Sequence, residues 1–132
     1  MEQTAGNDSR VLVVDDEPMI QHLIGTILER YRIKSDFAEN GHSALEKWKS
    51  VRYHAIMMDI NMPMMDGLET VQQIRREEKE TDRPYTPVIA VTSLELQNGS
   101  VKDAGFDYYI RKPFGIPELL AAVKLFLRQP SA

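Results

Sequence analysis

The segment Ala55–Gly67, AIMMDINMPMMDG, decides how the whole chain is interpreted. Its first residues, 55–58, are continuously apolar, which is typical of the interior of a buried parallel strand. Asp59 follows where that strand would end, and the residues after it have the composition of a loop and turn. Open α/β sheets keep their chemistry at the carboxyl ends of their strands, so Asp59 is a candidate site residue. Asp66 lies beside the next helix and is better placed to cap it, which leaves Asp59 available for another role.

Strand-length apolar runs alternate with amphipathic helical patterns along the entire chain. The strands are expected at about 11–14, 34–38, 55–58, 87–91 and 106–110, and the helices at about 18–31, 41–51, 68–75, 94–104 and 117–127. Short connections and continuously apolar strands indicate a parallel sheet with helices on both faces. We therefore expect an α/β fold, a doubly wound five-stranded parallel sheet in the flavodoxin-like order 2-1-3-4-5, with its switch point between strands 1 and 3.

A single domain accounts for the 132 residues. We expect it to occupy residues 10–128, with a flexible tail at 1–9 and a short tail at 129–132. The mixed-charge run at 75–83 predicts a solvated, fraying end of the third helix rather than a binding patch. Asn98-Gly99-Ser100 consists of poor helix formers and is expected to interrupt the fourth helix.

The composition excludes several classes of function. The chain has no cysteine, hence no disulfide framework or thiolate metal site, and its three histidines are scattered singly. A net charge of −4 is unfavourable for direct binding of nucleic acid, which requires a basic face. No apolar run approaches membrane-spanning length, and the amino-terminal sequence MEQTAGNDSR does not resemble a signal peptide. We expect no membrane insertion and a cytoplasmic location.

Polar side chains follow four of the expected strands at the point where each strand ends. Asp15 and Asp16 follow strand 1, Asp59 follows strand 3, Thr92 follows strand 4 and Lys112 follows strand 5. Because the carboxyl ends of parallel strands meet at one edge of a sheet, we expect one shared crevice. Three carboxylates there repel one another unless a cation is present, and ligands without His or Cys favour Mg²⁺. With Mg²⁺ and Lys112, the formal charge of the crevice sums to zero.

Such a crevice has the parts that phosphoryl transfer requires. A carboxylate can be the nucleophile, a metal ion and an ammonium can stabilise the phosphoryl oxygens, and a hydroxyl can hydrogen-bond the product. The alternative is that each polar residue merely caps a helix or solvates a loop, and Asp16 before Glu17-Pro18 suits that role. The residues at these strand ends are together of the chemical types that phosphoryl transfer requires, which favours one shared site over five unrelated structural roles.

These residues closely resemble a known family, the receiver domain of two-component response regulators. The resemblance extends from Val11 to about Leu127 and is carried by Asp15-Asp16, MDINMPMMDG around Asp59, Val91-Thr92-Ser93 and Lys112-Pro113-Phe114. It implies a Mg²⁺-dependent switch rather than a turnover enzyme. Asp59 would accept a phosphoryl group from a phosphohistidine on a sensor histidine kinase or a phosphotransfer protein.

The resemblance also implies how a metal ion would be held. Asp16 and Asp59 would bind Mg²⁺ through their carboxylates, Asp15 mainly through water, and Asn61 through its backbone carbonyl.

Two alternative functions conflict with residues of the same region. A phosphatase with a nucleophilic aspartate usually carries a second acid where Asn61 stands, and a flavin-binding module would have its phosphate repelled by the acidic run 15–17. A degenerate receiver used as a scaffold would lack site residues, and none is missing.

A third group of implied roles concerns signalling. Thr92 and Lys112 would bind the phosphoryl oxygens, the Lys112–Pro113 peptide would be cis, and Tyr109 would change its rotamer together with Thr92. The output would then pass through helix 4, strand 5 and helix 5, with helix 4 shorter than is usual in the family. Leu94 stands where the family often has a polar side chain, so we expect a long-lived phosphoryl group. The chain would act alone, relay phosphate onward, or be a segment of a larger regulator or hybrid kinase.

Overall fold

The computed structural model describes residues 9–62, 64–96 and 98–127. Its strands are β1 (Arg10–Val14), β2 (Lys34–Ala38), β3 (Ala55–Met58), β4 (Val88–Thr92) and β5 (Tyr108–Arg111). Its helices are α1 (Pro18–Arg30), α2 (Gly41–Ser50), α3 (Gly67–Thr81), α4 (Asn98–Ala104) and α5 (Ile116–Leu127). All strand pairs are parallel and the order is β2-β1-β3-β4-β5, so the predicted doubly wound sheet is confirmed.

The sheet divides the core into two layers because successive side chains of a strand point to opposite faces. In β1, Val11 and Val13 pack with α1 and α5, whereas Leu12 and Val14 pack with α2, α3 and α4. Every residue of the central strand β3 is buried. Burial on both faces explains why the central strands are continuously apolar, and it leaves polar side chains only where the strands end.

Helix α3 differs from its predicted extent. It continues as regular helix to Thr81, so the fraying predicted at 75–83 is wrong, although Arg76 and residues 79–82 are exposed as predicted. Glu78 is buried, and its carboxylate accepts the backbone N–H of Thr86 at 2.7 Å. Arg75 donates to the same carboxylate at 2.9 Å. The charged run is part of the folded structure because the side chains of Arg75 and Glu78 point toward the protein and form an ion pair with each other.

Helix α4 also differs from prediction. It covers only Asn98–Ala104, so Asn98-Gly99-Ser100 forms its first turn and does not interrupt it. Residues 93–96, which precede it, are not helical. Their backbone groups bond to the Tyr109 hydroxyl, which donates to the carbonyl of Leu94 and accepts the N–H of Leu96 at 3.3 Å. A side chain thus replaces the hydrogen bonds that a longer helix would have supplied.

The predicted tails lie almost entirely outside the described residues. Of the tail at 1–9 only Ser9 is described; it is buried, and its carbonyl accepts the N–H of Lys34 at 3.0 Å. Residues 129–132 belong to the part of the chain that is not described, and the domain limits stay a prediction. Among the described helices, none is long and apolar enough to cross a membrane. The other strand and helix ends agree with prediction to within two residues.

Candidate functional site

Three of the predicted carboxylates meet where β1 and β3 end. The two strands are neighbours, with Val14 opposite Met58, so Asp15 and Asp59 leave the sheet side by side. One carboxylate oxygen from each of Asp15, Asp59 and the adjacent Asp16 lies within 4.8 Å of the others. Asp15 and Asp59 are buried, whereas Asp16 is exposed to solvent. The topology therefore brings together residues separated by more than forty positions in the sequence.

Lys112 reaches the same point from the end of β5. Its Nζ donates to Asp15 Oδ2 at 2.8 Å and to Asp59 Oδ2 at 3.2 Å. The backbone N–H of Lys112 donates to the carbonyl of Thr92 at 2.8 Å, which holds the ends of β4 and β5 together. The Lys112–Pro113 peptide is cis, as predicted. One ammonium thus bridges the two buried carboxylates.

Burial and charge act on these groups in opposite directions. Burial raises the pKa of Asp59 above its usual value, Lys112 opposes the rise, and the charge of Asp15 adds to it. Burial lowers the pKa of Lys112, but its hydrogen bond to Asp15 and the charges of both carboxylates outweigh that effect, so the pKa is raised. A single ammonium therefore faces more negative charge than it can balance, and a further cation is favoured here.

Thr92 and Tyr109, the predicted switch residues, contact the same residue of the chain. Thr92 is fully buried, and its Oγ1 accepts the backbone N–H of Leu94 at 3.3 Å. The Tyr109 hydroxyl donates to the carbonyl of Leu94. The Leu94 side chain is 38% exposed. The backbone of Leu94 therefore links Thr92 to Tyr109, through one hydrogen bond at its N–H and one at its carbonyl.

The ligand atoms suit a hard cation. All three clustered residues are aspartates, so the available donors are carboxylate oxygens, which Mg²⁺ prefers. Asn61 is exposed, and its backbone N–H donates to Asp59 Oδ1 at 3.2 Å. That bond turns the loop after β3 back over Asp59. The ligand role of the Asn61 carbonyl stays a prediction.

Glu17, the N-cap residue of α1, and Gln21, within α1, also belong to the site, although the sequence analysis did not count either among the site residues. Glu17 Oε1 lies 3.8 Å from Lys112 Nζ, so the site carries one more carboxylate than the predicted charge balance included. Gln21 Nε2 donates to the carbonyl of Asp15 at 2.6 Å and to that of Ala38 at 3.4 Å. The position of Glu17 directly after the acidic pair was the available signal, whereas nothing local marked Gln21.

Gly67 is a further residue whose importance only the structure reveals. A Cβ atom at this position would lie 2.4 Å from the carbonyl oxygen of Asp59 and 2.8 Å from the Cα of Ile60. The N–H of Gly67 donates to the carbonyl of Ile60 at 2.8 Å. The first turn of α3 therefore packs directly against the backbone that carries Asp59, and only glycine permits this approach.

Comparison with known proteins agrees with this geometry. A family model described as the response regulator receiver domain matches residues 11–124. The chain belongs to that family. Members of the family are phosphoacceptor switches of two-component systems, so the predicted function is confirmed at that level. The transcriptional regulatory protein ResD of Bacillus subtilis is 39% identical to this receiver domain over 133 residues, which cover 99% of this chain and 52% of ResD. The chain thus spans about half the length of that regulator.

Solved structures also resemble this receiver domain. The response regulator TrrA of Thermotoga maritima, solved in complex with Mg²⁺ and BeF, is 35% identical, with a TM-score of 0.78 over 89% of this chain and 98% of its own. A structure of the Saccharomyces cerevisiae phosphotransfer protein Ypd1 with the receiver domain of Ssk1 matches with a TM-score of 0.82 and 27% identity, over 89% of this chain and 88% of that one. Receiver domains interact with histidine kinases or phosphotransfer proteins, as in that complex.

Proposed function

We propose that Asp59 receives the phosphoryl group of this receiver domain. The donor is a phosphohistidine on a sensor histidine kinase or a phosphotransfer protein. The observation that carries the proposal is the position of the Asp59 carboxylate: it ends the central strand, is buried, and lies 3.2 Å from Lys112 Nζ with the carboxylates of Asp15 and Asp16 beside it. A buried nucleophile with adjacent cationic groups suits a transfer whose charge develops on phosphoryl oxygens.

The transfer forms a bond from a carboxylate oxygen of Asp59 to phosphorus and breaks the bond from phosphorus to the histidine nitrogen of the donor. The Asn61 N–H contacts Oδ1 and Lys112 contacts Oδ2, so both oxygens of the nucleophile are oriented. Asp15, Asp16 and Asp59 would hold Mg²⁺, which when bound supplies positive charge against the incoming phosphoryl oxygens. The Lys112 ammonium would pair with those oxygens, and its hydrogen bond to Asp15 would keep it in place.

The signal leaves the site through Leu94. A phosphoryl group on Asp59 offers acceptors to the Thr92 hydroxyl, and that hydroxyl now accepts the N–H of Leu94. A displacement of Thr92 therefore acts on the residue whose carbonyl Tyr109 holds. The expected result is a population shift of the surface formed by α4, β5 and α5. Slow autodephosphorylation then returns Asp59 to its unphosphorylated state, because the exposed Leu94 cannot activate a water molecule. The cytoplasmic location stays a prediction.

Intact-mass measurement with acetyl phosphate and Mg²⁺ tests the assignment. We expect a single phosphoryl adduct on the wild type, stable in acid and labile in base, and none on Asp59→Asn. Asp103→Asn removes an exposed acid of α4 by the same chemical change and should leave the adduct intact. An undiminished adduct on Asp59→Asn would show that another residue is phosphorylated.

A further inference from the structure

A cavity of about 560 Å³ lies at the edge of the sheet opposite the acidic site. Its lining includes His54, Pro87 and Asp107, each directly before the strands β3, β4 and β5, together with Phe126 near the end of α5. Because these strands are parallel, their amino ends are separated from Asp59 by the length of the sheet. The cavity plays no part in the proposed phosphoryl transfer, and its volume falls within the range of small-molecule sites, about 300–1,000 Å³.

One wall of the cavity is the irregular segment 83–87, which is nevertheless fixed by specific contacts. Trp48 Nε1 donates to Thr86 Oγ1 at 3.1 Å. The Arg83 guanidinium carbon lies 4.3 Å from the Trp48 ring centroid, and the group donates to the Trp48 carbonyl at 2.7 Å. A loop held in this way is pre-organised, so a ligand that binds to it does not have to order it.

Tyr85 supplies an aromatic surface on the same wall. It is 59% exposed, yet its hydroxyl donates to Asp107 Oδ1 at 2.7 Å and the Arg75 guanidinium lies 4.0 Å from its ring centroid. Burial and the contacts with Asp107 raise the pKa of Tyr85 to about 12, so the hydroxyl keeps the proton that it donates. A large exposed ring in one fixed orientation is suited to stacking on a planar ligand.

The cavity also carries positive charge that the protein does not balance. Arg52 is exposed, lines the cavity, and has no hydrogen bond or ion pair with any described residue. Asp107 is the one carboxylate among the described lining residues, and it already accepts from Arg75, Tyr85 and the N–H of Val88. On a chain of net charge −4, this cationic cavity selects for an anionic group.

We propose that this cavity binds a small aromatic acid. The planar ring packs against Tyr85 and Phe126, and the carboxylate or other anionic group pairs with Arg52. The arginine fork matches a carboxylate geometrically, and the fixed aromatic wall gives affinity for the ring without a large ordering cost.

An occupant of the cavity is connected to the output surface through Arg75. Arg75 donates to the carbonyl of Gly105 through Nε at 3.0 Å and Nη2 at 2.9 Å, and to the carbonyl of Thr86 at 2.9 Å. Gly105 directly follows α4 and has φ of 112°. A ligand seated on Tyr85 therefore contacts the same hydrogen-bond network that holds the turn between α4 and β5.

Titration with 2-naphthoate, followed by amide chemical shifts, tests the proposal on the intact chain. We expect saturable shifts at residues 52–54, 83, 85, 86 and 107–108, since Pro84 and Pro87 have no amide N–H. Arg52→Gln should weaken 2-naphthoate about tenfold, because a charge-assisted hydrogen bond is lost, and should leave the neutral 2-naphthylmethanol unchanged. Arg76→Gln removes the same charge from an exposed position of α3 outside the cavity and should leave both affinities unchanged.

A second variant examines the ring contact. Tyr85→Leu keeps apolar bulk but removes the aromatic face, so it should weaken both 2-naphthoate and 2-naphthylmethanol. Shifts that do not saturate, or that centre on the acidic site, would overturn the proposal. So would an equal loss of 2-naphthoate affinity in Arg52→Gln and Arg76→Gln, because that result would reflect net charge and not the cavity. Phosphorylation by acetyl phosphate is measured separately and does not depend on this outcome.

Discussion

A methyl group added at Gly67 tests how closely α3 packs against the phosphoacceptor. In Gly67→Ala the new carbon would lie 2.4 Å from the carbonyl oxygen of Asp59 and 2.8 Å from the Cα of Ile60. Non-bonded atoms prefer separations of about 3.5 Å or more, so the two segments must separate by roughly 1 Å. Both contacts are backbone atoms and cannot turn aside as a flexible side chain could.

The expected cost follows from these contacts. Overpacking typically costs about 1–3 kcal/mol, and weakening the hydrogen bond from Gly67 to Ile60 adds about 1 kcal/mol. Alanine recovers up to about 1 kcal/mol of helix propensity, which leaves a net destabilisation of about 2 kcal/mol. Because a misplacement of about 1 Å in a reacting group can cost a factor of about 100, phosphorylation should slow at least tenfold.

Gly99→Ala is the matched control, since it makes the same chemical change in α4. Among the described residues, no atom apart from the chain neighbours of Gly99 and the backbone of α4 lies within 4 Å of the added carbon, so stability should be unchanged or rise by up to about 1 kcal/mol. Urea denaturation measures stability, and the intact-mass time course with acetyl phosphate measures phosphorylation. A Gly67→Ala variant as stable as wild type and phosphorylated at the same rate would refute the packing argument.

Three further predictions address the metal, the lifetime of the phosphoryl group and the buried charge. Asp16→Ala should abolish most of the rise in melting temperature that Mg²⁺ causes in wild type. Glu46→Ala, at an exposed position of α2, should leave that rise unchanged. A rise of wild-type size in Asp16→Ala would show that Asp16 does not bind the metal. Leu94→Glu and Leu94→Gln should both speed dephosphorylation at fixed Mg²⁺, since each can hydrogen-bond an attacking water, and equal or slower decay in both would show that Leu94 does not limit hydrolysis. Glu78→Ala should destabilise the domain by about 1–3 kcal/mol, because the buried backbone N–H of Thr86 loses its acceptor, whereas Arg75 keeps its ion pair with Asp107. The exposed Glu80→Ala should change the free energy of unfolding by less than about 0.5 kcal/mol.

Several features of this protein follow from the sequence because their causes are local. Strands β2 and β3 have the predicted bounds. For β3, a short apolar run with turn residues after it is sufficient to define the strand. Asp66 caps α3 as predicted, because its partner is the N–H of Glu69, three residues away, at 2.9 Å. The crevice could be predicted because a parallel sheet places all carboxyl strand ends at one edge.

The features that the sequence did not reveal depend on partners far away along the chain. Arg75 is held by the carbonyl of Gly105 and by Asp107, about thirty positions away, so no local pattern shows that the charged end of α3 turns inward. The late start of α4 has the same origin, because the residues before it bond to the hydroxyl of Tyr109 on β5. Local propensity determines which elements form, whereas the choice between solvent and a distant partner for each polar group is made only when the elements pack.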